Sequence, residues 1–180
     1  TATSGSQSGP QITALSNGGF VVTWTDFSQT TPDTSSTAVR AQVFTAGGAM
    51  VGTEILVNTS TANDQISPQI TALSNGGFVV TWQDLSLTAP DTSNAAIRAQ
   101  VFTSAGAMVG TEILVNTATA SSQNSPQIIA LSNGGFVIIW QDSSLTAPDT
   151  SSTAVRAQVF TAGGAMVRTA RLSFTSTARD

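Results

Sequence analysis

Two aspartates in each of three related segments are the side chains best suited to chemistry in this sequence. They lie seven positions apart and recur every 58 residues, as Asp26 and Asp33, Asp84 and Asp91, and Asp142 and Asp149. Paired carboxylates can act as acid and base on a glycosidic bond, or bind a hard cation together with backbone oxygens. Asp before Ser or Thr also braces turns through side-chain hydrogen bonds. These six residues are the candidate ligand-binding positions, and turn bracing is favoured over metal binding.

The remaining composition offers little catalytic chemistry. The chain contains no His, Cys, Lys or Tyr, so most general bases and nucleophiles are missing. The aspartates are present three times because their segment is repeated, and a single active site rarely arises in that way. We therefore predict that the chain is not an enzyme and that it holds no cofactor and no metal.

The charge pattern limits the possible partners. Six basic and ten acidic residues give a net charge of −4, and three of the basic residues, Arg40, Arg98 and Arg156, occupy one repeat position. Phosphate recognition needs clustered Lys and Arg, so we predict no nucleic-acid partner. No apolar run reaches the roughly 18 residues that a membrane span needs. Position 1 is Thr and no signal-peptide pattern follows, which favours a mature protein or a piece of a larger one.

A constant repeat organises the whole chain. The segment Pro10–Trp24 returns unchanged at Pro68–Trp82, and with three changes at Pro126–Trp140. The chain is thus predicted to be a single repeat domain over 1–180, with units 1–58, 59–116 and 117–174 and a tail at 175–180.

Each unit reads as four strands. In the first unit these are Gln11–Leu15, Phe20–Asp26, Ala38–Thr45 and Val51–Asn58, rich in β-branched and aromatic residues. Asn-Gly between the first two strands predicts a type I′ hairpin turn. A longer loop covers 27–37, and a Gly-rich turn joins the last two strands. No window of helical length shows a 3.6-residue period, so the unit is an antiparallel meander.

The second strand of each unit is apolar on both faces, which is expected of a sheet covered on both sides. The predicted fold class is therefore all-β, with three tandem four-stranded antiparallel blades in a β-propeller-like arrangement. A β-trefoil, which also has three repeats of four strands, is the alternative, although 58 residues are many for a trefoil unit. Three blades do not easily close a ring. A dimeric six-blade ring, an open array and a fragment of a longer chain all stay open.

Differences between the units concentrate at one end of the predicted sheets. Units 1–58 and 59–116 differ at 15 positions. Six of these differences lie between positions 2 and 9, in the linker before the first strand, and six lie between positions 25 and 37, at the long loop. A meander places these two segments at the same end. Binding surfaces usually lie on loops held by a rigid scaffold, so this end is the candidate functional face. The alternative is that surface loops tolerate change.

Two further residue types recur at fixed positions. Trp24, Trp82 and Trp140 lie in apolar strands, so we predict core packing over stacking on a sugar ring. The hairpin register places Arg40 near Glu54, a predicted cross-strand pair that Arg98 and Glu112 repeat. The third unit has Ala170 at the Glu position and departs further from Arg168 onward, as terminal repeats often do.

The segments Ala14–Trp24 and Val39–Thr59 together resemble tandem repeats of large secreted or surface bacterial proteins of the calcium-binding or adhesin-like kind. In these proteins similar units read A-L-x-D-G-G-F-V-V-x-W and end in F-x-V-N-T. The resemblance covers all three units and implies a secreted or cell-surface setting. It supplies no catalytic residue, and the calcium-binding glycine-rich nonapeptides of haemolysins are absent.

We therefore expect a structural or adhesive repeat module that self-associates, with a second copy or neighbouring repeats as its partner. The alternative is a multivalent, lectin-like propeller that binds glycans through repeated weak sites.

Overall fold

The computed structural model shows an all-β chain of three separate four-stranded sheets. It describes residues 5–147 and 149–170, without the side chains of residues 168–170. Within these ranges no helix is long and apolar enough to cross a membrane.

Each sheet is a meander in which the strands pair in chain order. The first blade contains β1 (Gln7–Ala14), β2 (Phe20–Asp26), β3 (Ala38–Phe44) and β4 (Met50–Leu56). The second contains β5 (Gln65–Ala72), β6 (Phe78–Asp84), β7 (Ala96–Phe102) and β8 (Met108–Leu114). The third contains β9 (Gln123–Ala130), β10 (Phe136–Asp142), β11 (Ala154–Phe160) and β12 (Met166–Ala170). Three separate antiparallel sheets confirm the predicted fold class of propeller-like blades.

The first strand of the blade is longer than predicted. It begins at Gln7, whose partner on β2 is Asp26, and its register shifts between Ser8 and Gln11. Gly9 within this irregularity has φ of +58°. Because a bulge inserts an extra residue into the ladder, the Gly-Pro pair that seemed to precede the strand lies inside it.

The Asn-Gly hairpin is present, but the predicted type I′ turn is wrong. The Leu15 carbonyl accepts from the Gly18 amide at 3.0 Å, and the Leu15 amide donates to the Gly19 carbonyl at 2.8 Å. Gly18 has φ of +85°, whereas Asn17 is not in the left-handed region. This is a type I turn followed by a left-handed glycine. Asn17 Oδ1 accepts from the Gly19 amide at 2.9 Å, which holds the asparagine in this turn.

Consecutive blades pack through two complementary faces. The side of a blade that packs on the next blade in the chain is called its forward face. The side that packs on the preceding blade is called its rear face. The forward faces are Leu15, Val21, Val39, Ala41, Val43 and Val57 in the first blade, and Leu73, Val79, Ile97, Ala99, Val101 and Val115 in the second. The rear faces are Phe78, Val80, Trp82 and Phe102 in the second blade, and Phe136, Ile138, Trp140 and Phe160 in the third.

The buried tryptophans confirm the predicted core role at both blade contacts. Trp82 and Trp140 are buried between blades, while Trp24 is half-buried on the rear face of the first blade. Burying large aromatic side chains contributes strongly to core stability, so most of the repeated segment is scaffold.

Candidate functional site

The linkers and long loops lie together at one end of the molecule, as predicted. Ser35 Oγ in the first long loop donates to the Asn63 carbonyl of the next linker at 2.9 Å. Ser93 Oγ repeats this contact with the Ser121 carbonyl at 2.8 Å. We call this end, formed by residues 27–37, 59–64, 85–95, 117–122 and the described part of 143–153, the loop face.

The first aspartate of each predicted pair is buried beneath the loop face. Asp26 accepts hydrogen bonds from Ser28 Oγ at 2.5 Å, from Arg40 Nε at 2.8 Å and from Gln7 Nε2 at 3.2 Å. Asp84 and Asp142 repeat the arginine contact, with Arg98 at 2.6 Å and Arg156 at 2.9 Å. Burial disfavours the charged form of Asp26, but its hydrogen bonds and the Arg40 charge outweigh burial and lower its pKa.

Each of the first two arginines also contacts a glutamate on the fourth strand. Arg40 Nη1 lies 3.1 Å from Glu54 Oε1, and Arg98 Nη1 lies 3.0 Å from Glu112 Oε1, which confirms the predicted cross-strand pairs. In the third blade Ala170 replaces the glutamate. The Arg156 side chain is 19 % exposed there, compared with 6–7 % for its two counterparts. The third arginine is therefore partly solvated where one carboxylate has been lost.

The second aspartate of each pair holds the long loop to the end of the fourth strand. Asp33 accepts from the Ser35 amide at 2.9 Å and from Asn58 Nδ2 at 2.8 Å. Asn58 Nδ2 also donates to Gln65 Oε1 in the next blade at 3.2 Å. The second blade repeats the contact between aspartate and asparagine, because Asp91 accepts from Asn116 Nδ2 at 2.7 Å. These carboxylates therefore link loop, strand and linker.

The third blade differs at this position. Asp149 is exposed and accepts hydrogen bonds from the Ser151 amide and hydroxyl, which lower its pKa. The sequence has Phe174 where the other units have asparagine, and residue 174 lies outside the described residues. Departures of the last strand beyond Ala170 also lie outside them. As far as Ala170, β12 pairs with β11.

The six aspartates thus occupy bracing positions in the structure, and ligand binding by them stays a prediction. They do not converge on one point, because each pair belongs to its own blade. Within the described ranges, no group of three His, Cys, Asp or Glu side chains could hold a metal ion.

A cleft of 560 Å³ lies on the second blade where the preceding linker meets the long loop. Polar groups around it come from Thr59, Ser60, Thr88, Arg98, Gln100, Thr111 and Glu112, and apolar groups from Ala89, Pro90, Met108 and Leu114. Glu112 Oε2 accepts from the Thr59 amide at 2.7 Å, so the linker is fixed over the outer strand. Sequence reasoning missed this cleft because the path of the linker across β8 leaves no local signal.

Comparisons with known proteins give structural neighbours only. No protein-family model matches the sequence, and no curated protein matches it. An endo-arabinase from Bacteroides thetaiotaomicron is similar in structure, with a TM-score of 0.50 and 16 % identity, over 91 % of this chain and 61 % of its own. A levansucrase variant from B. megaterium has a TM-score of 0.50 and 8 % identity, over 85 % of this chain and 47 % of its own. Both have propeller-type folds, so the likeness shows the fold.

The prediction that the chain is not an enzyme is contradicted by these neighbours, since both are enzymes by name. The prediction relied on missing side-chain types and on the threefold repetition of the aspartates, and neither excludes carboxylate chemistry on a glycosidic bond. A bladed fold is therefore a scaffold on which catalysis occurs. At 16 % and 8 % identity the likeness brings no catalytic residue to this chain.

Proposed function

We propose that the chain is a structural and adhesive repeat module of a secreted or cell-surface protein, and that it self-associates. The observation that carries this proposal is the exposure of apolar blade faces at both ends of the row. Ile12, on the rear side of the first blade, is 66 % exposed, and Val155, on the forward side of the third, is 37 % exposed. The corresponding Ile97 of the second blade is fully buried by its neighbour.

The adhesive part of the proposal rests on the loop face. Leu87 and Leu145 are exposed and have φ of +56°, and the equivalent residue of the first blade, Gln29, has φ of +51°. A leucine in the left-handed region is unusual, and strained residues cluster at functional sites. The loop face thus presents one apolar side chain per blade in the second and third blades, beside the exposed Phe27 of the first.

The test of this function is the mass of the pure protein in solution. Sedimentation velocity over a wide concentration range should show species heavier than the 18.3 kDa chain. A strict monomer at every concentration would overturn self-association. Replacing Leu87 and Leu145 with Gln, the residue that the first blade already has, should lower adsorption to an apolar surface without changing the fold.

A second candidate function is multivalent carbohydrate binding. The cleft beside Arg98 and Glu112 favours it, because its lining combines hydroxyl, guanidinium and carboxylate groups with apolar side chains, as small-ligand sites do. The similar structures are an endo-arabinase and a levansucrase by name, and arabinan and levan are therefore suitable probes. Calorimetry with both polysaccharides should give saturable binding that Thr111→Ala weakens, because Thr111 lines the cleft and is exposed. No heat and no retention on either polymer would remove this candidate.

A further inference from the structure

We propose that two copies of this chain join head to tail, with the forward face of the third blade on the rear face of the first blade of the partner, and close into a six-blade ring. This inference rests on the proposed self-association and specifies its contact and its stoichiometry.

The two end faces are the missing halves of a contact that the chain already makes twice. Phe20, Val22 and Trp24 occupy the rear face of the first blade and are half-buried, whereas their equivalents in the other two blades are buried. In the third blade Val137 and Val159 are half-buried, whereas their forward-face equivalents in the first two blades are buried. The end faces therefore match the established blade contact in residue type and differ from it in being uncovered.

The third blade is more apolar on this open face than its counterparts. Ile129 replaces a threonine of the first two units and is 60 % exposed. Ile139 replaces Thr23 and Thr81, whose hydroxyls donate to the Arg40 and Arg98 carbonyls at 2.8 Å. An exposed apolar patch of this kind marks an interaction surface. One substitution makes the third unit more polar, because the sequence has Ser173 where the other units have valine. Residue 173 lies outside the described ranges.

The number of copies follows from the number of blades. Propellers typically close with four to eight blades, so one copy has too few, two copies supply six and three copies would supply nine. Each copy carries one forward and one rear end face, and a heterologous contact that closes after two copies uses both. Two chains of 18.3 kDa give 2 × 18.3 = 36.6 kDa.

Single arginine substitutions on the end faces test the contact. Ile12→Arg and Val155→Arg each place a charge at an exposed position, so the monomer should fold normally by circular dichroism. Each should weaken dimerisation at least tenfold in sedimentation equilibrium. The control is Met50→Arg, because Met50 is exposed and its equivalents Met108 and Met166 are exposed too, so this position belongs to no blade contact. The control should dimerise like the unaltered chain.

Mixing the two variants tests the head-to-tail arrangement. A heterodimer of Ile12→Arg with Val155→Arg contains one junction free of arginine, so the mixture should recover dimer that neither variant forms alone. A contact between two like faces would give no such recovery, and would overturn the arrangement.

The mass of the particle in solution distinguishes a failure of the two-copy ring from a failure of the proposed self-association. A strict monomer overturns both. Species that grow beyond 36.6 kDa with concentration leave self-association standing and overturn closure at two copies. A dimer that both arginine variants leave intact places the contact elsewhere, and also overturns the inference.

Discussion

At the scale of single residues, the loop face of the first two blades is organised by a buried arginine that binds two carboxylates. A buried charge is strongly unfavourable unless it is paired and hydrogen-bonded. Arg98 satisfies this requirement with Asp84, Glu112 and the Thr88 carbonyl, at distances of 2.6, 3.0 and 2.6 Å. The arginine thereby ties the long loop to two strands, which gives the loop a fixed position.

Glu112→Ala should reproduce in the second blade what Ala170 does in the third. Arg98 would keep Asp84 but lose one charged partner in a site that is 7 % exposed, so we expect a loss of about 1–3 kcal/mol. Urea unfolding of the whole chain measures it. Glu112→Gln keeps a hydrogen-bond acceptor and should lose less. Equal stability of the alanine variant and the unaltered chain would show that Arg98 does not depend on Glu112.

The lowered pKa of Asp26 predicts a loss of stability in acid. Its carboxyl is more acidic in the folded chain than its ordinary value of 3.8, so the ionised form favours folding. This contribution is present at pH values above the unfolded pKa and is lost as pH falls through the folded pKa. Ser28→Ala removes the hydrogen bond from the Ser28 hydroxyl to the carboxylate, keeps the one from the backbone amide, and should raise the Asp26 pKa. The loss in acid would then be smaller, and it would be complete at a higher pH.

The measurement for Asp26 is an NMR titration of its carboxyl carbon, combined with urea midpoints between neutral and acidic pH. Asp26→Asn should show a smaller acid dependence than the unaltered chain, because the variant lacks the titrating group. An Asp26 resonance that titrates at or above the ordinary value would contradict the prediction.

The sequence could predict an ion pair or hydrogen bond at the loop face only where a short connection joins the two residues. Arg40 and Glu54 are joined by a short hairpin, so strand periodicity alone placed them opposite each other. Asp26 and Arg40 are joined by the long loop, whose length leaves the register undetermined. Asp33 and Asn58 are 25 positions apart, and their contact depends on how the loop folds back. The sequence therefore predicted that the aspartates brace their own turns, but it did not predict their contacts with Arg40 and Asn58.

At the scale of the strands and turns, the Gly-Gly pair of each first hairpin serves two different needs. Gly18 supplies a positive φ of +85°, which a residue with a Cβ adopts at a cost. A Cβ on Gly19 would lie 2.4 Å from the Phe44 carbonyl oxygen of the neighbouring strand. The second glycine is therefore required by close approach of backbone, and the same approach recurs at Gly77 and Gly135.

Gly19→Ala should destabilise the chain by about 1–3 kcal/mol, because the neighbouring strand must shift to admit the methyl group. Gly47→Ala, in the other hairpin of the same blade, is the matched control. Gly47 has no positive φ, its Cβ would meet only Thr45 Oγ1 at 3.9 Å, and the second unit has Ala105 there. The control should be neutral or gain about 0.4–1 kcal/mol. Thermal unfolding of both variants measures the difference. Equal melting temperatures would show that the close approach of the Phe44 carbonyl does not require glycine at position 19.

Strand positions were more predictable than strand ends. Phe20–Asp26 was predicted to the residue, because its apolar run is bounded by Gly on one side and turn residues on the other. The predicted start of β1 is four residues too late, since Gly and Pro normally end a strand. That rule fails here because of the bulge at Gly9. The register shift between Ser8 and Gln11 accommodates Gly9 and Pro10 inside the strand, and pairing with β2 continues to Gln7.

At the scale of the whole molecule, the repeat predicted the blades but left their closure open. The apolar strands predict a sheet covered on both sides in each unit, and the structure shows such covering at the two internal blade contacts. It gives no end to the series, because every unit presents a forward and a rear face. The open faces at the two ends are thus a direct consequence of building a ring fold from three near-identical units.

Two equivalent phenylalanines can report separately on internal and end contacts. Phe78 is fully buried between the first two blades, whereas Phe20 occupies the same position on the open rear face and stacks on Phe44 at 4.9 Å. In dilute protein, Phe78→Ala should cost about 3–5 kcal/mol. Phe20→Ala should cost less, because its side chain is already partly in water.

Raising the protein concentration should change only the second of these costs. A partner that binds the folded chain stabilises it by up to about 2.7 kcal/mol at 100 times its Kd, and Phe20→Ala would forfeit that gain by damaging the rear face. The cost of Phe20→Ala should therefore grow with concentration, while that of Phe78→Ala should change little, because it disrupts packing inside one chain. Urea unfolding at two concentrations differing roughly 100-fold provides the comparison. If both costs are independent of concentration, the rear face of the first blade has no partner in solution.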